Sequence, residues 1–333
     1  MRIMPAAGGP SAPLLVGAED PQRSDFAAAI TPDHGALLVL SSLPGEEGRT
    51  HDAFALLELA RPDVPPRPIG PRAQLRNPSF APNGRWLVFE SNAESFRDLY
   101  RLELEGGALL RLTHDPRGNF EPDVAPDGGS IAFVSSRDGD AEIYVMSSDG
   151  GEPRRLTTSP GDDSAPRWSP AGGTIAFTSN RERGRGIDLY VMDREGLGQR
   201  ALVSDPERSA AVLVRDVAWS PDASKIAFTQ VVPQGQGGGV LIVASETGEI
   251  LARTRPAGGG VDEQPAWSPD GESLVFARSS GERSDLVRMR ADGRDEQPLT
   301  DGQGVYWLPR WIAEPGCTRV RPAASASSGA GQG

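Results

Sequence analysis

Residues Ser169 to Gly196 read SPAGGTIAFTSNRERGRGIDLYVMDREG, and Ala125 to Gly150 read APDGGSIAFVSSRDGDAEIYVMSSDG, nearly the same phrase. Looser copies begin at Thr31 (TPDHGALLVLSS), Ala81 (APNGRWLVFESN), Ser220 (SPDASKIAFTQ) and Ser268 (SPDGESLVFARS). The anchoring prolines are Pro32, Pro82, Pro126, Pro170, Pro221 and Pro269, at steps of 50, 44, 44, 51 and 48 residues. A repeat of about 40–50 residues with several short strands per unit is the mark of a β-propeller blade. The six copies therefore predict an all-β fold, a six-bladed β-propeller with four antiparallel strands per blade.

One copy shows how a blade is built. From Asp163, SAPRWSP forms a first strand that ends at Pro170; TIAFTS, IDLYVMD and a short QRALV follow. In the sibling form SPDG, proline presets φ for the turn and glycine supplies the positive φ that closes it. The middle strands are continuous apolar runs, Ile175-Ala176-Phe177 and Leu189-Tyr190-Val191-Met192. A sheet with one wet face would alternate; these strands are predicted to be covered on both faces, as a blade wedged between two others must be. Trp168, Trp219, Trp267 and Trp311 recur at one position of the first strand, with Phe80 and Val124 in their place elsewhere. Large rings repeated in register on a strand are expected to pack between blades.

The repeat resembles the TolB-type six-bladed propeller with its PD40 repeats, over roughly residues 25 to 313. Pro166-Arg167-Trp168-Ser169-Pro170, Ser136-Arg137-Asp138-Gly139, Glu142-Ile143-Tyr144-Val145-Met146, Asp149-Gly150 and Arg155-Leu156-Thr157 carry the likeness. These are blade-building residues, so the likeness specifies a fold more than an activity. The resemblance implies a protein or peptide partner. It also implies that Leu308-Pro309-Arg310-Trp311, a seventh copy of the first strand, closes the ring from the C-terminal side. The competing closing strand, Phe26 to Ile30, is left unassigned.

Composition narrows the rest. The 333 residues are expected to form one repeat domain, residues 25–315, between an N-terminal extension at 1–24 and an Ala/Ser/Gly-rich disordered tail at 316–333. Hydrophobic residues make up only 37%, which suffices where blades bury both faces; 40 glycines and 30 prolines fit a chain of tight turns. A net charge of −12, without a cluster of Lys and Arg among aromatics, argues against nucleic-acid binding. The single cysteine, Cys317, permits no intrachain disulfide. The segment MRIMPAAGGPSAPLLVGAED reads as no signal peptide, and no apolar run approaches the roughly 18–20 residues of a membrane span. The expectation is a monomeric, acidic propeller, cytoplasmic as written, although the resembled family is often periplasmic or secreted.

Catalytic signals are thin. Peptidases with similar propellers need a GxSxG nucleophile elbow, which this chain lacks. Its three histidines divide between the two ends of the ring, His51 and His114 at one and His34 at the other, so they are not expected to share a metal. Carboxylates offer more. Ahead of the Pro/Trp strand stand Glu121, Asp163, Asp216, Asp262 and Glu263, all expected at one tunnel mouth with Arg76, Phe120, Tyr306 and Trp307 on its rim. Two accounts stay open: solvated loop charge, or a site for calcium or a cationic peptide, with Glu121, Asp163, Asp216 and Asp262 as candidate ligands. The reading is a non-enzymatic interaction scaffold that binds through this face. The alternative is a calcium-assisted enzyme acting on a glycan or lactone.

Overall fold

The computed structural model describes residues 2–3, 12–13, 24–44, 50–61, 63–94, 96–182, 186–203, 212–232, 237–300, 306 and 308–312. Apart from a short ladder between Arg2–Ile3 and Ala12–Pro13, its strands form six four-stranded antiparallel meanders, one per repeat, the last three joined into one sheet by short parallel pairings at Gly186–Val212 and Gly238–Val261. The innermost strands are Ser24–Ile30, Leu75–Phe80, Asn119–Val124, Asp163–Trp168, Val212–Trp219 and Val261–Trp267. The outer strands are short, down to the two residues Arg154–Arg155. Among the described residues the only helical element is a 3₁₀ turn at Ala257–Gly259, and no helix is long and apolar enough to cross a membrane.

The first and second strands of each blade meet at the proline turn. In blade 6, Ser268 Oγ donates to Asp270 Oδ1 at 2.5 Å, and that oxygen also accepts the Glu272 N–H at 2.9 Å. Asp33, Asp127 and Asp222 accept main-chain N–H groups in the same way, so a short acid replaces a backbone turn acceptor. The next residue but one after the proline has positive φ: Gly84, Gly128, Gly172 and Gly271 lie between 66° and 74°. His34 (58°) and Ala223 (60°) hold that left-handed position without glycine. His34 is thereby accounted for as a turn residue.

Seven residues after each anchor comes a fully buried ring: Phe89, Phe133, Phe177, Phe228 and Phe276 are 0% exposed, with Val39 equally buried in blade 1. Burying one such side chain stabilises by roughly 1.5–3 kcal/mol. Tyrosines from the neighbouring strand pack on three of them, with Phe133 and Tyr144 centroids 5.9 Å apart and Phe177 and Tyr190 5.7 Å apart. Arg137 and Arg181 cover Tyr144 and Tyr190 at 4.8 and 4.6 Å, which explains the arginine of the Ser-x-Arg element. Five apolar clusters each draw on two successive blades, so every interface from blade 1 to blade 6 is dry.

The tryptophans bind blade to blade as expected. Trp168 packs among Ala125, Val134 and Ile143 of the preceding blade. Trp219 and Trp267 donate Nε1–H to the carbonyls of Arg167 and Ala218, each at 3.1 Å. Trp311 repeats the bond to Ala266 O at 2.9 Å.

Closure differs from the sequence expectation. The N-terminal copy, Ser24–Ile30, is the inner strand of blade 1 and pairs with Ala36–Pro44. Leu308–Trp311 joins no strand ladder among the described residues, yet it sits on blade 6 as a following inner strand would. The N-terminal copy wins because a whole strand can pair there, whereas the C-terminal copy is attached through side chains. Most of 1–24 and all of 316–333 fall outside the described residues.

Two stability measurements follow. Trp168→Ala should cost about 3–5 kcal/mol in urea unfolding, as large-to-small changes in packed interiors do. Ala223→Gly should raise stability by up to about 1 kcal/mol, because it relieves a left-handed non-glycine residue. An unchanged or lower midpoint for Ala223→Gly would mean that the turn tolerates alanine without strain.

Candidate functional site

The site predicted from sequence lies on the innermost strands, and a backbone irregularity governs it. Pairing with the second strand shifts register between Arg76 and Ser79, Phe120 and Asp123, Ser164 and Arg167, Arg215 and Ala218, and Glu263 and Ala266. In each bulge one residue takes positive φ: Asn77, Glu121, Ala165, Asp216 and Gln264, between 46° and 57°. Leu308 does the same at 51° in the C-terminal copy. A bulge inserts an unpaired residue and re-aims its side chain.

These residues tie successive blades together. Glu121 Oε2 accepts the Ala165 N–H at 2.7 Å, Asp216 Oδ2 the Gln264 N–H at 3.3 Å, and Gln264 Oε1 the Leu308 N–H at 2.7 Å. Between blades 2 and 3 Glu90 serves instead, its Oε1 accepting the Glu121 N–H and Asn77 Nδ2, each at 2.6 Å. The main-chain N–H stranded by one bulge is thus satisfied from the blade before it.

The candidate carboxylates occupy three registers rather than one. Counting back from the tryptophan position, Glu121 and Asp216 stand three residues ahead, Glu263 four, and Asp163 and Asp262 five. Strand side chains alternate and the bulge adds a step, so these positions diverge. Asp163 is fully buried, bonded by Arg181 Nη2 at 2.8 Å and Ser179 Oγ at 2.5 Å. Asp262 is fully buried beneath Arg278, which grips it with Nε and Nη2 at 2.7 and 2.8 Å. Asp98 and Glu142, at the start of third strands, are buried likewise under Arg111 and Arg155.

That placement corrects the expectation of a single acidic mouth. Among the described residues no three His, Cys, Asp or Glu side chains gather as a metal group. Asp163 and Asp262 cannot serve as calcium ligands without giving up their arginines, so the donor set does not fit that ion. The histidines also stay apart: His51 faces Leu43 within a blade 1 hairpin, and His114 is exposed in the linker to blade 3.

The rim residues are more open. Arg76 is exposed; Phe120 and Tyr306 are half-buried. Arg97 lies over the Phe120 ring at 5.4 Å. Arg215, with half its side chain exposed, reaches Glu263 at 2.8 Å and Asp216 at 3.7 Å. Tyr306 is held through its main chain by Ser284 Oγ. Trp307 lies outside the described residues.

Glu90, Asn77 and Arg97 belong to this region and were missed. Glu90 was recoverable: it is a carboxylate at a position where sibling repeats carry Val134, Thr178, Thr229 and Ala277. It is 1% exposed, and its Oε2 lacks a hydrogen bond, with Arg97 at 3.7 Å. Burial holds its carboxyl above the usual glutamate range, against the pull of the Glu121 N–H, Asn77 and Arg97.

Meanders joined through inner strands that tie blade to blade define the class, a β-propeller. The family model described as the TolB beta propeller domain, PD40, matches residues 72–182 and 119–314. The chain belongs to the TolB β-propeller family. The Tol-Pal system protein TolB of Anaeromyxobacter dehalogenans is 33% identical over 130 residues, a match covering 39% of this chain and 28% of that protein. The crystal structure of TolB from Acinetobacter baumannii superposes with a TM-score of 0.59 at 26% identity, covering 84% of this chain and 67% of that one. An oligogalacturonate lyase in complex with manganese superposes at 0.66 with 14% identity, covering 89% and 82%, a likeness of fold alone.

Arg181→Met should destabilise by about 3–5 kcal/mol, since it leaves Asp163 charged, buried and unpaired. Adding Asp163→Leu should recover much of the loss, and equal loss in both variants would show that the pair is not the cause. Glu90 gives a pH signature. Its raised pKa means the folded chain keeps a proton that the unfolded chain has released. This contribution is fully present below the ordinary glutamate value and is lost as pH rises through the raised one. Wild type should therefore lose stability relative to Glu90→Gln between acidic and neutral pH; parallel profiles would mean that Glu90 titrates normally.

Proposed function

We propose that the chain is a protein-interaction module that takes a protein or peptide partner on the rim formed by Arg76, Arg97, Phe120, Arg215, Glu263 and Tyr306. The carrying observation is the division of charge along the inner strands. Asp163 and Asp262 are closed off beneath arginines, whereas Arg76 and Arg215 remain exposed and half-buried Phe120 lies under Arg97. Charge of both signs around aromatic side chains suits a protein surface, where aromatics and arginine anchor a contact. The likeness to relatives named Tol-Pal system protein TolB supports a role in a protein assembly. That match spans about a quarter of the relative, so the partner is not carried over with it.

The test is capture from the native host extract by wild type, by Arg76→Glu/Arg215→Glu, and by Glu105→Lys at a turn on the opposite end of blade 2. A partner held by wild type and Glu105→Lys but lost by the double variant supports the rim. Equal retention by all three would place the contact elsewhere.

A further inference from the structure

One residue ahead of the tryptophan position the inner strands carry Ala29, Ser79, Asp123, Arg167, Ala218, Ala266 and, in the C-terminal copy, Arg310. All seven keep access to solvent, although the prolines preceding four of them (Pro122, Pro166, Pro265 and Pro309) are buried. Side chains on the innermost strands that stay wet face an opening along the axis. Small residues hold four of the seven places, which leaves that opening to the charged three.

Arg167 and Arg310 adopt the same curl, each donating one Nη1–H to the carbonyl of its own preceding proline, at 2.9 and 3.0 Å. Among the described residues neither makes any other side-chain hydrogen bond or an ion pair. A guanidinium presents a planar fork of donors, so most of each fork is turned to solvent. The nearby acids are engaged elsewhere: Asp123 Oδ2 accepts the Trp168 N–H at 2.7 Å, and Asp216 Oδ2 accepts from Thr229 and Gln264. Asp98, Glu142, Asp163 and Asp262 each bond an arginine, whereas Arg167 and Arg310 make no ion pair among the described residues, and Asp123 and Asp216 act on them only through space. Burial and then the charge of Arg167 lower the pKa of Arg310, with Asp216 opposing, so the two cations feel one another.

We infer that Arg167 and Arg310 form an axial site for a carboxylate, taken between two guanidinium forks. Bidentate pairing with arginine suits a planar carboxylate, and a shared anion relieves the repulsion between the two cations. The site is separate from the rim and does not depend on the partner proposed there.

Calorimetric titration tests it with succinate, with N-acetyl-dialanine bearing a free C-terminal carboxylate, and with the C-terminal amide of that peptide. Wild type should bind the acids and not the amide. Arg167→Gln and Arg310→Gln should each weaken binding at least about tenfold, and the double variant should abolish it. Tighter binding of the peptide acid would mark the ligand as a chain terminus; tighter binding of succinate would mark it as a free small acid. Ala218→Glu, which offers the arginines an internal carboxylate, should block succinate and covers the case in which a Gln variant fails to fold. Glu105→Lys, at the opposite end of blade 2, should still bind succinate. No saturable heat with either acid, equal binding of the amide, or unchanged affinity in the folded double variant would overturn the site.

Discussion

The bulge in each innermost strand is the constraint on which the rest of the ring depends. Inner strands must converge on an axis while their outer neighbours stay in ladder register, and an extra residue per strand lets the strand bend to do so. The bulge leaves a main-chain N–H unpaired, and a buried donor without an acceptor costs about 1–3 kcal/mol. A side chain from the preceding blade supplies the acceptor at Glu121, Ala165, Gln264 and Leu308. Blades 2, 3, 5 and 6 therefore each complete the backbone of the inner strand that follows. A Glu, Asp or Gln at this position can be structural before it is anything else.

The same dependence explains the arginines. The chain has 34 basic residues, of which Lys225 is the single lysine. Asp98, Glu142, Asp163 and Asp262 all lie at 0% exposure, each beneath an arginine. A planar fork can satisfy two carboxylate oxygens while its face covers a ring, as Arg278 does on Asp262 above Phe276. An ammonium would meet one oxygen and cover no ring. Four of the 46 acids are thus neutralised in the interior, each by its own arginine.

Blade architecture was legible because it rests on local signals. The proline anchors, the turn acids, the buried phenylalanines and the inter-blade tryptophans each recur at fixed offsets, and the structure uses each as the pattern implies. The site was legible in region but not in register. Grouping Glu121 with Asp163 passes over their offset: they stand three and five places ahead of the tryptophan position, on strands that carry the same bulge. The bulge residues Asn77, Glu121, Ala165, Asp216 and Gln264 share no residue type and none is the glycine that positive φ favours; the local sign is the proline that follows four of them, Pro78, Pro122, Pro166 and Pro265. Closure failed for a related reason: Leu308–Trp311 carries the side-chain signals of an inner strand, but pairing depends on the neighbour available.

One strand thereby sorts charge into separate roles over five residues. Five places ahead of the tryptophan, Asp163 and Asp262 are closed under arginines; four ahead stand Arg215 and Glu263 of the proposed rim; three ahead, Glu121, Asp216 and Gln264 complete a neighbour's backbone; one ahead stand Arg167 and Arg310 of the proposed axial site. The sorting follows from alternation plus one inserted residue. Arg215 and Glu263 pair with each other in the open, while Arg167 and Arg310 bond only the carbonyl of their own preceding proline, so these charges are the least committed to the ring among the described residues. Selection for binding can change those positions with little consequence for the ring, whereas the registers on either side of them are held by neighbouring blades. A propeller of this family can therefore acquire different ligands while its repeats remain recognisably the same.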